Sequence, residues 1–152
     1  MNIFEKTHEV IEAHNAKNET WTMGHNFMST WTEAEKKKLN GALPPTEPRG
    51  EEEFIPEVPS NGSIDWRSQG KVNASKNQAQ CGSCWAFSAV ASTETAHAIK
   101  SGQLLSLSEE QLVQCSTGNY GCNGGWPSHA FQYLQTTSLN TEGAYPYTSG
   151  GG

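Results

Sequence analysis

The stretch Gln78-Ala79-Gln80-Cys81-Gly82-Ser83-Cys84-Trp85-Ala86-Phe87-Ser88 decides the reading of this chain. Two cysteines stand three apart with only Gly and Ser between them, and a Trp follows the second. The run behind them, Trp85 to Ile99, is helix-compatible and carries one formal charge, Glu94. A helix almost free of charge around its circumference is normally a buried one. Cys84 therefore stands at the entrance of a buried helix. Unpaired N–H groups and the positive end of the helix dipole favour a thiolate at such a place. From chemistry alone Cys84 is a candidate activated nucleophile.

The 152 residues suffice for one ordinary domain or two small ones. Hydrophobic residues make up 34%, with 15 Gly and 7 Pro, which predicts long extended segments. A net charge of −6 argues against nucleic acid as a partner. No stretch approaches the roughly 20 apolar residues that span a membrane. The start, Met1-Asn2-Ile3-Phe4-Glu5-Lys6, lacks the apolar core of a signal peptide. Residues 1–58 hold 11 of the 16 acids, whereas all four cysteines (81, 84, 115 and 122) lie beyond them. That shift predicts two functional segments meeting near residue 58.

Residues 3–15 read as a helix whose stripe pairs Ile3 with Val10 and Phe4 with Ile11. The aromatic-rich run Trp21 to Trp31 suits a short strand or a packed loop. Thr32-Glu33-Ala34-Glu35 fits a capping box and predicts a short helix through Leu39, ended by Gly41. Lys36-Lys37-Lys38 is its solvated face. Five prolines between 41 and 62, with Glu51-Glu52-Glu53, exclude helix and central strand. They predict an extended linker, open to cutting. After the Cys84 helix, Gly102 is a stop and Ser108-Glu109-Glu110-Gln111 is a second capping box. The run Gly118 to Gly125 is loop, its glycines allowing close backbone approach. Trp126-Pro127 opens a last helix, with Ala130, Phe131 and Leu134 on its apolar side. Asn18, Asn61 and Asn73 head possible glycosylation triplets.

Two other chemistries fit parts of this pattern. Cys81-x-x-Cys84 has dithiol spacing at a helix start, but no βαβ pattern precedes it. Four cysteines could hold zinc, but Cys115 and Cys122 are spaced too widely for a usual ligand pair. No metal or other cofactor is expected.

Cys81-Gly82-Ser83-Cys84-Trp85 resembles the signature of the papain/cathepsin cysteine proteases. Ile64-Asp65-Trp66-Arg67 resembles the start of the mature enzyme in that family. Lys76-Asn77-Gln78, Leu107 to Val113, and Gly121-Cys122-Asn123-Gly124-Gly125 are similar to further family stretches. Ala130-Phe131-Gln132-Tyr133 and Tyr145-Pro146-Tyr147 resemble the cathepsin L branch. The resemblance runs over about residues 60–149, with Ala79 where the family usually has Gly. Phe4, Ile11 and Asn15, then Gly24-His25-Asn26-Phe27-Met28, resemble the inhibitory propeptide of the same branch, with Thr30 where Asp is usual.

The resemblance implies an α+β papain-like fold. The part present would be the mainly helical, nucleophile-bearing lobe (59–152), preceded by a mostly helical propeptide (1–58) with its cleavable linker from about 41. It implies Cys84 as nucleophile and Gln78 as oxyanion donor. Gly82, Ser83, Gly124, Gly125, Trp126 and Pro127 would bind substrate, Gly125 through its backbone and Trp126 and Pro127 as a pocket wall. Cys81 would pair with Cys122. Cys115 would pair with a cysteine just after Tyr145-Pro146-Tyr147, and none is present before Gly152, so it is expected unpaired here. The family's catalytic His and Asn follow the nucleophile by about 130–150 residues. That lies past Gly152, so a β-rich second lobe is expected to be missing and this chain inactive alone. His97 lies along the Cys84 helix at about 20 Å, too far to serve, and His129 lies on the helix after the glycine loop. Residues around 44–58 would run through the cleft, with acid-promoted cutting between about Phe54 and Ile64. The implied partners are a peptide or protein substrate and the chain's own propeptide, in a monomer of the lysosome, vacuole or extracellular space. The alternative is a non-catalytic propeptide-type inhibitor of a related protease.

Overall fold

The computed structural model describes residues 2–44 and 62–151. The chain divides into two compact units, Met1–Lys38 and Leu39–Gly152.

In the first unit α1 spans Ile3–Asn15, started by a reciprocal capping box between Asn2 and Glu5. Of the predicted stripe only Ile11 is buried; Ile3, Phe4 and Val10 stay exposed, and Phe4 stacks on the His25 ring instead, centroids 4.6 Å apart. The Trp21 to Trp31 run is loop and turn. Asn15 holds it to the helix end: its amide accepts from the Met23 N–H at 2.8 Å and donates to the Met23 carbonyl at 3.0 Å. This makes one side chain serve where a neighbouring strand would, satisfying backbone groups that a loop leaves open. α2 spans Glu33–Lys37 behind the capping box of Thr32 and Glu35.

The second unit is built on α3, Cys84–Ser101, with α4 at Glu109–Cys115 and α5 at Pro127–Leu134. Gly102 ends α3 in the left-handed conformation at φ 80°, which only Gly adopts without a steric penalty. Trp85, Ala86, Ala89 and Val90 of α3 form the core with Leu107, Leu112, Val113 and Ala130. Alanines on α3 and α5 let the two helices approach closely. On α5 Phe131 is exposed rather than core-facing; Tyr133 and Leu134 pack against the core in its place. Among the described residues there is no strand, only two isolated bridges, Ala42 with Gly125 and Leu107 with Thr141.

The one charge of α3, Glu94, is buried and fully engaged. One oxygen accepts from Lys76 Nζ at 2.8 Å and from the Leu107 N–H at 2.7 Å. The other accepts from Asn73 Nδ2 at 2.9 Å. Lys76 also bonds the buried Glu109 at 2.6 Å. Burial pushes the Glu109 carboxyl up, against the pull of Lys76. Burial alone would lower the Lys76 ammonium, but its bonds to Glu109 and Glu94 outweigh it and hold it above its ordinary value. Asn73 gives its amide hydrogens to Glu94 and to the Leu105 carbonyl, so a glycan there would break the cluster.

Ser108 caps α4 through the Gln111 N–H at 3.0 Å, but the predicted return bond is absent. Gln111 turns instead to the Ser138 carbonyl and Asn140, fixing a loop that the Ser108 N–H also holds through the Asn140 carbonyl. Its neighbour Glu110 is buried and gathers the Thr148 and Ser149 N–H groups, the Ser149 hydroxyl and the Gln114 amide. Burial alone would raise this carboxyl; the four donors win and lower it to about 2.

A carboxyl held below its ordinary value stabilises the fold above the unfolded range and loses that contribution as pH falls toward the folded value. For Glu110 the window runs from about pH 4.5 down to about 2, and the contribution is on the order of 3 kcal/mol. Glu110→Gln should therefore lower stability by about that much at pH 7, and the gap to the parent should shrink by more than half by about pH 3. Urea midpoints at the two pH values measure it. A gap independent of pH would contradict this role.

Candidate active site

Cys84 is the first residue of α3, and its side chain is free and half-buried. Ser83 precedes it but makes no side-chain cap bond. Its hydroxyl lies 2.8 Å from the Tyr147 hydroxyl. Tyr147 donates its one proton to the Gln78 carbonyl at 3.0 Å, so Ser83 is the donor in the Ser83–Tyr147 bond. Tyr147 thereby ties the Gln78 backbone to the start of α3. Burial raises its phenol above the ordinary value, keeping it a neutral donor.

The Gln78 side-chain amide donates to two carbonyls, Cys81 and Leu39, each at 2.8 Å. The first bond fixes the side chain beside the turn that leads into Cys84. Cys81 and Cys122 are bonded to each other, and the Gly82 N–H donates to the Cys122 carbonyl at 3.0 Å. The glycine-rich loop is thus clamped to the turn before α3, by a cross-link worth about 2–4 kcal/mol for a ring of this length. Cys81 is therefore not available to Cys84 for dithiol chemistry. Cys115 is free and exposed.

In the loop, Gly124 has φ 109°, and a Cβ on Gly125 would run into the Asn119 side chain. Asn119 accepts from the Trp126 N–H at 2.7 Å and donates to Ser116 Oγ at 2.9 Å. Trp126 then precedes Pro127, the first residue of α5.

A peptide segment already lies in this groove. The Gly125 N–H donates to the Gly41 carbonyl at 2.8 Å, and the Leu43 N–H donates to the Gly125 carbonyl at 3.2 Å. The bridge is parallel. Trp126 Nε1 donates to the Pro44 carbonyl at 2.7 Å, and Leu43 packs on Gly124. A Cβ on Gly41 would strike the Gly82 carbonyl, so only Gly permits this approach. The segment in the groove thus begins at Leu39. Of the expected cleft stretch, about 44–58, only Pro44 lies within the described residues, and the expected cutting region lies mostly outside them, as does Asn61.

Of the five histidines, His8 and His25 meet each other, Nδ1 to Nε2 at 3.1 Å. His8, His14 and His25 belong to the first unit. His97 lies far along α3, and His129 Nδ1 is committed to the Gly118 carbonyl at 2.7 Å. Among the described residues no histidine bonds Cys84.

Residues 60–152 match the papain family of cysteine proteases. The chain belongs to that family. Zingipain-1 of Zingiber officinale is 56% identical over 91 residues, covering 59% of this chain and 41% of its own. Digestive cysteine proteinase 2 of Homarus americanus is 40% identical over 155 residues, covering 95% of this chain and 48% of its own. The solved structure of digestive procathepsin L2 proteinase from Tenebrio molitor larval midgut superposes with a TM-score of 0.83 at 36% identity, over 97% of this chain and 52% of that one. The fold is accordingly papain-like, and what is present is its helical lobe. The chain spans about half the length of the relatives it matches along its whole extent.

Two residues of the site escape sequence reasoning. Tyr147 acts across 64 residues from Ser83, a separation that leaves no local trace. Asn119 had a signal: an amide among glycines is well suited to bond the loop's own backbone.

Ala79, standing where the family usually has Gly, has φ 50°. An L-residue in that region costs roughly 1–2 kcal/mol, partly offset by the extra freedom Gly gives the unfolded chain. Ala79→Gly should raise stability by about 0.5–1 kcal/mol, read as a higher urea midpoint. A lower midpoint would show that the Ala79 side chain contributes more than its strain.

Proposed function

We propose that this chain is the N-terminal part of a cysteine endopeptidase zymogen. Residues 1–58 act as inhibitory propeptide, with a cleavable linker from about 41, and residues 59–152 form the nucleophile-bearing lobe. The observation that carries this reading is the Gln78 amide. It stands at the turn before the Cys84 thiol and already grips a peptide carbonyl, that of Leu39.

Cys84 attacks the scissile carbonyl and forms a thioester, releasing the amine. Gln78 Nε2 and the Cys84 N–H stabilise the oxyanion of the tetrahedral intermediate; one such donor is worth roughly 3–4 kcal/mol. Gly125 pairs with the substrate backbone. Trp126 and Pro127 wall an apolar pocket for the second residue before the cut. While residues 39–44 hold Gln78 and Gly125, substrate cannot use them, so the chain's own segment is the inhibitor. The working place is a lysosome, vacuole or extracellular fluid, reached as a precursor. Acylation needs a base for the thiol and an acid for the leaving amine, and neither is beside Cys84 among the described residues.

A fluorogenic dipeptide with an apolar second residue, assayed at pH 5–6, tests this. The 152-residue chain should turn over nothing measurable. A chain continued through a second lobe should cleave it after propeptide removal, and Cys84→Ala should abolish that activity. Turnover by the 152 residues, or survival of activity in Cys84→Ala, would overturn the assignment.

A further inference from the structure

We propose that Trp126, beyond walling a pocket, is a backbone-carbonyl donor that makes the groove select for peptide length. The inference rests on the reading of 39–44 as an occupant of the peptide groove, and it names a recognition element of that site.

The occupant is held by backbone atoms at successive places. Gly125 takes the Gly41 carbonyl and the Leu43 N–H, flanking Ala42. The next polar contact is Trp126 Nε1 on the Pro44 carbonyl, at 2.7 Å. Pro44 has no N–H, so its carbonyl is the only backbone group by which the groove can hold it. An indole N–H is a donor only. It therefore donates to any residue's carbonyl and reads chain extent rather than side chain.

The donor is held by contacts outside its occupant. Trp126 is fixed at its backbone by Asn119. Its ring is flanked by Tyr120, centroids 5.9 Å apart at a steep angle, and by His129 at 4.8 Å. His129 is itself anchored through Nδ1 to Gly118. These contacts lie within the loop and the first turn of α5, so little rotamer freedom remains to be lost on binding. An extended peptide gains this bond only if it reaches two residues past the one paired with Gly125. A shorter peptide leaves the indole N–H to solvent.

The test uses the full 152-residue chain with Gly41→Val, whose side chain cannot pass the Gly82 carbonyl and so empties the groove. Two peptides copying 39–44 are titrated, followed by the Trp126 indole resonance and backbone amides. One is acetyl-Leu-Asn-Gly-Ala-Leu-prolinamide. The other ends in pyrrolidine and lacks the carboxamide that carries the proline carbonyl. The prolinamide should bind about fivefold to tenfold more tightly, the size of one net hydrogen bond. Trp126→Phe should remove that difference, so that both peptides bind the variant alike. Equal binding of both peptides to the Trp126 chain, or a difference that persists in Trp126→Phe, overturns the role of Trp126 while leaving the groove assignment standing. Failure of both peptides to perturb Gly125 would overturn the groove assignment itself.

Discussion

The site depends on one ion cluster, a partly exposed lysine set on two buried carboxylates. Lys76 reaches from the loop before Cys84 to Glu94 on α3 and Glu109 on α4. Two residues later the chain places Gln78, and six residues after that it enters α3 at Cys84. Removing Lys76 leaves two carboxylates buried without their cation, at a cost of about 3–5 kcal/mol. Energy alone does not explain the cluster, since well-packed apolar residues often do as well. What it supplies is position: a loop with no regular structure is fixed against two helices at a single ammonium. The distance between a side-chain amide and a thiol on different elements is set that way.

From that fixed loop the rest follows by short-range contacts. The Cys81–Cys122 bond and the Gly82 N–H carry the glycine-rich loop to the same turn. Glycine at 124 and 125 keeps the loop open to an incoming backbone, and Asn119 occupies the volume a side chain would need. Glu110 draws the 148–149 segment onto α4, next to the Tyr147 that braces Gln78. The groove therefore grips its segment through the Gly125 backbone, flanked by two side-chain donors, Gln78 Nε2 and Trp126 Nε1. Such a groove accepts an extended peptide in either direction, because N–H and C=O alternate along any strand. The chain's own segment uses this freedom, lying parallel to Gly125.

Much of this was legible in the sequence because it is local. The nearly uncharged run after Cys84, the stop at Gly102, the Thr32 box and Pro127 at a helix start each carry their signal within a few residues. The unread parts act at a distance or through the backbone. Lys76 looks like any surface lysine until Glu94 and Glu109 are brought to it across 18 and 33 residues. The groove's occupant begins at Leu39, ahead of the proline-rich stretch that drew attention, because its grip is by carbonyls and amides that every residue has. Only Gly41 marked it, and a lone glycine after a short helix reads first as a helix stop. Ala79 is a further case: its left-handed backbone is imposed by the turn and not by its own preference.

The central claim is that residues 39–44 cover the groove beside Cys84. The most direct measurement is labelling of Cys84 by a peptidyl chloromethyl ketone with an apolar second residue, with the exposed Cys115 as internal reference. The account predicts that Gly41→Val speeds labelling of Cys84 by about tenfold or more, the equivalent of one or two hydrogen bonds released, and leaves Cys115 unchanged. Equal rates at Cys84 in the parent chain and in Gly41→Val would contradict it.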